Sequence, residues 1–322
     1  AAAAIRLARE RFPGVPVILG GIYATLCPEH AQKHSGADRV VAGPGEAAIS
    51  GILEEATGFA PPGLIVPDWE DLDSWPYPAL DLLEHPSFIP ILTSRGCPLD
   101  CTYCASRQLQ PTYRRRRPRA VAAELIYWQD RLGLSDAAFY DDALLLGASG
   151  HLLVILEELA RCGRTFRFHT PNGLHARLIT REVAGWLKRA NFITLRLGVE
   201  TTALGEARLD AKLQAGELEA ALAHLKEAGF AREQIGVYLL IGLPDQAEAE
   251  VAASVLRVKE LGATPILAQY SPIPGTALWP QALAASRFDL AADPLFHNNS
   301  LFPCWPKFSW ERYTRLKRLA AG

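Results

Sequence analysis

Three cysteines crowd into one short segment, Ser94-Arg95-Gly96-Cys97-Pro98-Leu99-Asp100-Cys101-Thr102-Tyr103-Cys104, with the spacing Cys-x3-Cys-x2-Cys in a loop containing Gly and Pro. Thiolates are soft ligands that select iron–sulfur or zinc centres. Three of them can wrap one face of a cuboidal cluster and leave one iron open, as a catalytic site requires, whereas a structural site is closed by a fourth ligand. A zinc site completed by a His, or three plain buried cysteines, are the alternatives. The loop follows an expected strand at the start of a repeated strand–helix pattern, which favours the cluster. Cys27, Cys162 and Cys304 are scattered, so the six cysteines do not form a secreted disulfide framework.

Such a loop needs a scaffold, and the pattern around it supplies one. Short apolar runs read as strands at 88–94, 137–141, 165–169, 192–199, 235–241 and 265–271, and helical patterns fall near 118–132, 148–162, 180–190, 216–228 and 246–261. Six βα steps with nearly continuous apolar strands call for an α/β fold. A parallel sheet covered by helices, with right-handed crossovers, would curl into a partial (β/α)6 TIM-like barrel. Polar residues gather just after the strands, the edge where parallel barrels carry their chemistry. There the sequence places Asp141-Asp142, His169 to Gly173 including Asn172, and Arg196, Gly198 and Glu200, which strand alternation puts on one face. Each has a plainer alternative: an Asp N-cap, an Asn-Gly turn, a buried Arg-Glu pair. Arg114 to Arg117 read as a solvated approach to the next helix.

The cysteine segment resembles the signature of the radical S-adenosylmethionine (radical SAM) superfamily, and the resemblance extends from about residue 88 to 275. It implies an enzyme with a [4Fe-4S] cluster held by Cys97, Cys101 and Cys104, whose open iron chelates S-adenosylmethionine. Reductive cleavage of that cofactor then gives a hydrogen-abstracting radical, with the hard chemistry belonging to the cofactor. Tyr103 matches the family's aromatic before the third cysteine and would lie against adenine, with a core aromatic as the alternative. The same resemblance places Asp142 at the cofactor's amino end, Arg196 at its methionyl carboxylate, Glu200 at its polar groups, and Asn172 and Tyr238 facing the site. It also sets the backbone near Ile241, before the Gly242-Leu243-Pro244 turn, against adenine. Leu197-Gly198-Val199-Glu200-Thr201 is similar to a segment of those members that carry cobalamin domains.

Ahead of the barrel, residues 1–58 read as the C-terminal part of a Rossmann-like domain. Gly20-Gly21-Ile22-Tyr23-Ala24-Thr25 and Gly43-Pro44-Gly45-Glu46 resemble the end of a cobalamin-binding domain, although the usual Asp-x-His-x-x-Gly sequence is absent. Cobalamin is therefore an expected cofactor of the full-length protein. Residues 59–87, dense in Pro and Trp, are expected to be an irregular linker, 88–275 the barrel, and 276–322 an extension ending in a helix. The chain contains no methionine, and the expectation is a fragment of a longer protein.

With 49% hydrophobic residues and a net charge of -2, the 322 residues can bury a core and carry no sequence-wide basic field for nucleic acid. No apolar run reaches the roughly 20 residues that span a bilayer. The expectations are a cytoplasmic enzyme, a small-molecule or peptide substrate, a reductant such as flavodoxin or ferredoxin, and neither nucleic acid nor membrane as partner. The activity implied is a cobalamin-dependent methyl transfer. A radical SAM cyclase or rearrangement enzyme, and a zinc-stabilised binding module, are the alternatives.

Overall fold

The fold was read from a computed structural model, which describes residues 1–59, 67–68, 70–203, 212–305 and 307–322. Parts of the expected linker (60–66 and 69) and of the expected barrel (204–211) lie outside the described residues.

The N-terminal segment contains α1 (Ala2–Arg11), β1 (Ile18–Leu19), α2 (Ile22–Leu26), α3 (Pro28–His34), β2 (Arg39–Val40) and α4 (Gly45–Thr57). β1 and β2 pair in parallel, Ile18 opposite Arg39 and Leu19 opposite Val40, which is an α/β arrangement. The barrel follows with β3 (Ile89–Ile91), β4 (Ser94–Arg95), α5 (Ser106–Leu109), β5 (Arg114–Arg115), α6 (Pro118–Leu132), β6 (Asp136–Phe139), α7 (Leu152–Arg161), β7 (Arg167–His169), β8 (Leu174–His175), α8 (Arg181–Arg189), β9 (Phe192–Glu200), α9 (Glu217–Glu227), β10 (Ile235–Ile241), α10 (Glu248–Glu260) and β11 (Thr264–Gln269). The tail adds α11 (Trp279–Ala285) and α12 (Trp310–Ala321).

Six strands pair in parallel in the order β3-β6-β7-β9-β10-β11, which is their order in the chain, and β8 adds to β9. β3 and β11 do not pair with each other, so the barrel stays open along one side. The helices start and stop where local chemistry dictates. Thr180 caps α8 by accepting the Val183 N–H at 3.2 Å, while α6 begins at Pro118 and ends at Gly133 in the left-handed region (φ 68°). The main core lies between sheet and helices, where Phe139, Phe168 and Phe192 pack ring on ring from adjacent strands against Leu125, Ile155 and Leu187. Burying each such side chain is worth about 1.5–3 kcal/mol.

Three local features differ from the sequence reading. The expected strand 88–94 breaks after Ile91, because the buried Asp141 carboxylate accepts the Thr93 N–H and the Thr93 and Ser94 hydroxyls. The chain then leaves the sheet to form β4, antiparallel to β5. The basic run is a solvated approach only in part, with Arg115 and Arg117 exposed. Arg114 and Arg115 form β5, and the largely buried Arg116 is clamped between Asp73 and Glu124. The linker is consequently docked where it is described, since Asp73 also accepts the Arg117 N–H at 2.6 Å. Finally, the Asn172-Gly173 turn leads straight into β8, whose two residues are too few to show a periodicity.

Candidate active site

The three cysteines follow β4 at the C-terminal edge of the parallel sheet. Gly96 turns the chain into the loop with φ +84°, and a Cβ there would meet the Thr112 carbonyl oxygen at 2.8 Å, so Cys97 needs a glycine before it. Within the loop the Cys104 N–H donates to the Cys101 carbonyl at 3.1 Å. The Ser106 N–H points at the Cys104 sulfur at 3.4 Å. The tail holds the loop from above, through the Leu278 N–H on the Thr102 carbonyl at 2.9 Å.

Cys97, Cys101 and Cys104 line one cavity of about 390 Å³. Asp142, Asn172, Glu200 and Tyr238, all expected site residues, also line it, as do Gly173 and Gly198. Those two glycines meet closely, since a Cβ on Gly173 would lie 2.8 Å from the Gly198 backbone. Asn172 donates to the Tyr140 carbonyl at 2.7 Å, which ties β6 to the turn after β7. Tyr238 donates to the Pro171 carbonyl at 2.9 Å. Of the paired aspartates, Asp141 is spent on the β3–β4 bend, and burial pushes its carboxyl up against the bonds from Ser94 and Thr93. Asp142 is the one that reaches the cavity.

Tyr103 donates its phenol proton to Glu200 Oε1. Lys212, which drew no attention in the sequence, closes the triangle, with Nζ 2.9 Å from Glu200 Oε1 and 3.0 Å from the Tyr103 oxygen. Only 14% of the Lys212 side chain and 9% of the Glu200 side chain are exposed. Glu200 Oε2 is buried and has no hydrogen-bond partner among the described residues. Glu200 also adopts φ +65°, a left-handed conformation rare for a side chain of its kind. His175, brought by β8, is a second cavity residue that sequence reasoning missed. Neither could have been found from the chain, because a lone Lys and a His in a two-residue strand carry no pattern.

Three expected residues, Tyr103, Arg196 and Ile241, do not line the cavity, and Tyr103 packs against the cluster of Leu243, Tyr270 and Leu278. Arg196 shares the inner face with Gly198 but lies a strand step lower, on the barrel floor. There its guanidinium donates to the Leu195 carbonyl at 3.0 Å and packs over Gly236. It is not on the cavity wall, because alternation fixes a side chain's face but not its depth. The Ile241 side chain faces outward into an apolar cluster with Val251, Phe302, Trp305 and Leu316, and its carbonyl accepts the Tyr270 N–H at 2.9 Å.

The donor chemistry fits an iron–sulfur cluster bearing a polar ligand. Among the described residues no group of three His, Cys, Asp or Glu is placed to hold a metal ion. The three thiols line a cavity that Asp142 and Glu200 also line. Burial pushes the Cys97 thiol up against the Leu99 N–H, with Asp142 adding to the rise. Metal binding would reverse that, since a coordinated thiol is deprotonated outright. No helix among the described residues is long and apolar enough to cross a membrane.

A cavity lined by three cysteines at the strand ends of an open parallel sheet defines the molecule as an α/β-barrel protein with its candidate site at that edge. Residues 91–258, over half of the chain, match the Radical SAM superfamily, and the chain belongs to it. The "Uncharacterized methyltransferase PH0819" of Pyrococcus horikoshii is 24% identical over 97% of this chain and 69% of its own length. The "Uncharacterized methyltransferase sll1242" of Synechocystis is 26% identical over 83% of this chain and 51% of its own. The chain thus spans between half and about two thirds of these relatives. Its fold is also that of the radical S-adenosylmethionine methyltransferase TsrM from Kitasatospora setae. A structure of TsrM with tryptophan substrate and a SAM analogue bound aligns with TM-score 0.68 at 18% identity, over 88% of this chain and 61% of that one. Another, with cobalamin and a [4Fe-4S] cluster bound, aligns with TM-score 0.52 at 20% identity, over 62% of this chain and 40% of that one.

Proposed function

We propose that this radical SAM chain is the core of a cobalamin-dependent methyltransferase acting on a small-molecule or peptide substrate in the cytoplasm, reduced by a flavodoxin or ferredoxin. The observation that carries the reading is the convergence of Cys97, Cys101 and Cys104 with Asp142 and Glu200 on a single cavity at the strand ends. The three cysteines would hold the cluster. Bound there, cluster and S-adenosylmethionine would together supply a hydrogen-abstracting radical. Asp142 would accept from the cofactor's ammonium through a charge-assisted bond. Glu200 would accept from its polar groups through Oε2, and Asn172 and Tyr238 hold the turn that walls the cofactor in. Tyr103 keeps the cluster loop against β9.

Methyl transfer as the outcome is supported by the names of the two relatives and by TsrM. Cobalamin is supported by the α/β segment ahead of the barrel. Gly21 and Gly43 follow the C-terminal ends of β1 and β2 at φ +88° and +82°, and neither has an atom within 4 Å of where a Cβ would lie, so two glycine turns face open space beside parallel strand ends. Glu46, at the start of α4, pairs with Arg95 at 2.8 Å, which links that segment to the cysteine loop.

The test is anaerobic reconstitution of the full-length protein with iron and sulfide, followed by reduction with S-adenosylmethionine, with and without methylcobalamin. The expected result is a brown protein that cleaves the cofactor and delivers a methyl group only when methylcobalamin is present. Cleavage without methyl transfer to any substrate offered, with methylcobalamin bound, would refute the methyltransferase assignment. A colourless protein holding stoichiometric zinc would refute the cluster.

A further inference from the structure

A second cavity, of about 300 Å³, lies where the segment ahead of the barrel meets the edge strand β3. Leu92 and Tyr140 line it from the sheet, Trp75 and Tyr77 from the segment ahead. Leu92 and Tyr140 follow the paired residues Ile91 and Phe139 of β3 and β6, whose side chains belong to the core under the helices. Alternation therefore turns Leu92 and Tyr140 to the inside of the barrel, where they stay 39% and 40% exposed. The Trp75 N–H donates to the Asp68 carbonyl at 3.2 Å, so the indole offers ring surface rather than its polar edge. Nearby, Asp73 is fixed by the Arg116 guanidinium at 2.9 Å and the Arg117 N–H at 2.6 Å, which makes the cavity preformed.

The charged side chains that line it already have partners of opposite sign. Arg95 pairs with Glu46, and Arg116 with both Asp73 and Glu124. The Ser94 hydroxyl is likewise spent on Asp141. A charged group entering here would lose water without gaining a counter-ion, whereas a neutral ring gains apolar and aromatic contact. This cavity adjoins the one that holds the cysteines. Arg95 lines the first and Cys97 the second, Tyr140 the first and Asp142 the second, and Asn172 of the cysteine cavity donates to the Tyr140 carbonyl at 2.7 Å. At about 390 Å³ the cysteine cavity is small among ligand sites, which span about 300–1,000 Å³, and on the proposed reading a cluster and a nucleoside cofactor fill it. A substrate therefore needs space of its own beside it.

We propose that the cavity bounded by Trp75, Tyr77, Leu92 and Tyr140 seats an uncharged aromatic part of the substrate next to the cofactor. The substrate class is thereby narrowed to compounds that carry a neutral aromatic ring. Trp75, Tyr77 and Tyr140 supply ring contacts and Leu92 an apolar one, while the paired charges around them reject an ionised group at that position. The inference deepens the proposed function. It rests on the cysteine cavity holding the cofactor but not on methyl transfer, since it concerns only where the substrate's ring is held.

The experiment is equilibrium dialysis of 2-naphthol against the anaerobically reconstituted full chain at pH 7, with 2-naphthoate and decahydro-2-naphthol as the charged and the saturated counterparts. The expected result is saturable binding of 2-naphthol in the presence of S-adenosylmethionine, and binding of both counterparts weaker by about tenfold. Leu92→Asp, which sets a carboxylate on the inner wall, should weaken 2-naphthol by about tenfold. Trp75→Leu should weaken it roughly fivefold, and Tyr140→Phe, which keeps the ring, should stay within about twofold of wild type. Iron per chain and S-adenosylmethionine affinity should not change in Leu92→Asp or Trp75→Leu. The proposal is overturned if 2-naphthol does not bind, if 2-naphthoate binds as tightly, or if neither Leu92→Asp nor Trp75→Leu weakens the ring. It is equally overturned if S-adenosylmethionine displaces 2-naphthol competitively, which would put the ring in the cysteine cavity. Loss of methyl transfer with these binding results intact would remove the methyltransferase assignment alone, whereas methyl transfer with 2-naphthol binding unmoved by both variants would remove this inference alone.

Discussion

Alanine placed at Gly173 should destabilise the protein and disturb cofactor binding, while the same substitution at Gly51 should stabilise it. A Cβ on Gly173 would lie 2.8 Å from both the Cα and the amide nitrogen of Gly198. Ordinary contact begins near 3.4 Å, so the turn after β7 and the strand β9 must separate by roughly half an ångström. Both partners are backbone, and neither can rotate away. Overpacking of this kind costs about 1–3 kcal/mol. The displaced strand carries Gly198 and Glu200 on the cavity wall, so the loss should reach S-adenosylmethionine affinity as well. Gly51 is the control. It sits inside α4, exposed, with nothing within 4 Å of a built Cβ, and alanine there should gain about 0.5–1 kcal/mol from helix propensity alone. Urea unfolding followed by circular dichroism, with the midpoint compared at fixed slope, reads both changes. If Gly173→Ala unfolds within 0.5 kcal/mol of wild type, the close approach of the two glycines does not constrain the site, and the reasoning from it fails.

Other expectations follow from the buried charges and thiols. Arg116→Met should cost about 3–5 kcal/mol by urea unfolding, because it strands the almost fully buried Glu124 without its cation and leaves Asp73 only Arg117. Burial alone would raise the Asp73 carboxyl, but the Arg117 N–H and the Arg116 and Arg117 guanidiniums hold it below the usual carboxylate range. Its contribution is therefore complete above the unfolded value of about 3.9 and is lost as pH falls through the lower folded value. The stability gap between wild type and Asp73→Asn should accordingly be widest near neutrality and shrink in acid, and a gap that widens in acid would contradict the assignment. Burial pushes the Cys304 thiol up to about 11. In the folded apo-protein a thiol reagent at neutral pH should label the exposed Cys104 and Cys162 well before Cys304, and mass mapping of the modified peptides checks the order.

Much of this molecule was legible in the chain, for a physical reason. Nearly continuous apolar runs at strand length, separated by amphipathic helices, admit few architectures other than a parallel sheet covered by helices, and all six expected barrel strands are present in chain order. The cysteine spacing was equally local, since ligands within one loop need no tertiary contact to be recognised. What depends on depth and on distant partners was not legible. Alternation put Arg196 and Glu200 on one face, yet only the folded barrel decides that the first lies on the floor and the second on the cavity wall. Asp141 and Asp142 are neighbours of identical chemistry, and the bend between β3 and β4 determines which is consumed as a structural acceptor. The basic run carried no sign that Asp73 and Glu124 would bury Arg116, and nothing near Lys212 announced that it would meet Tyr103 and Glu200. Periodicity and short-range spacing are properties of the chain itself, whereas the partner of a single charge is set by packing between residues far apart in sequence.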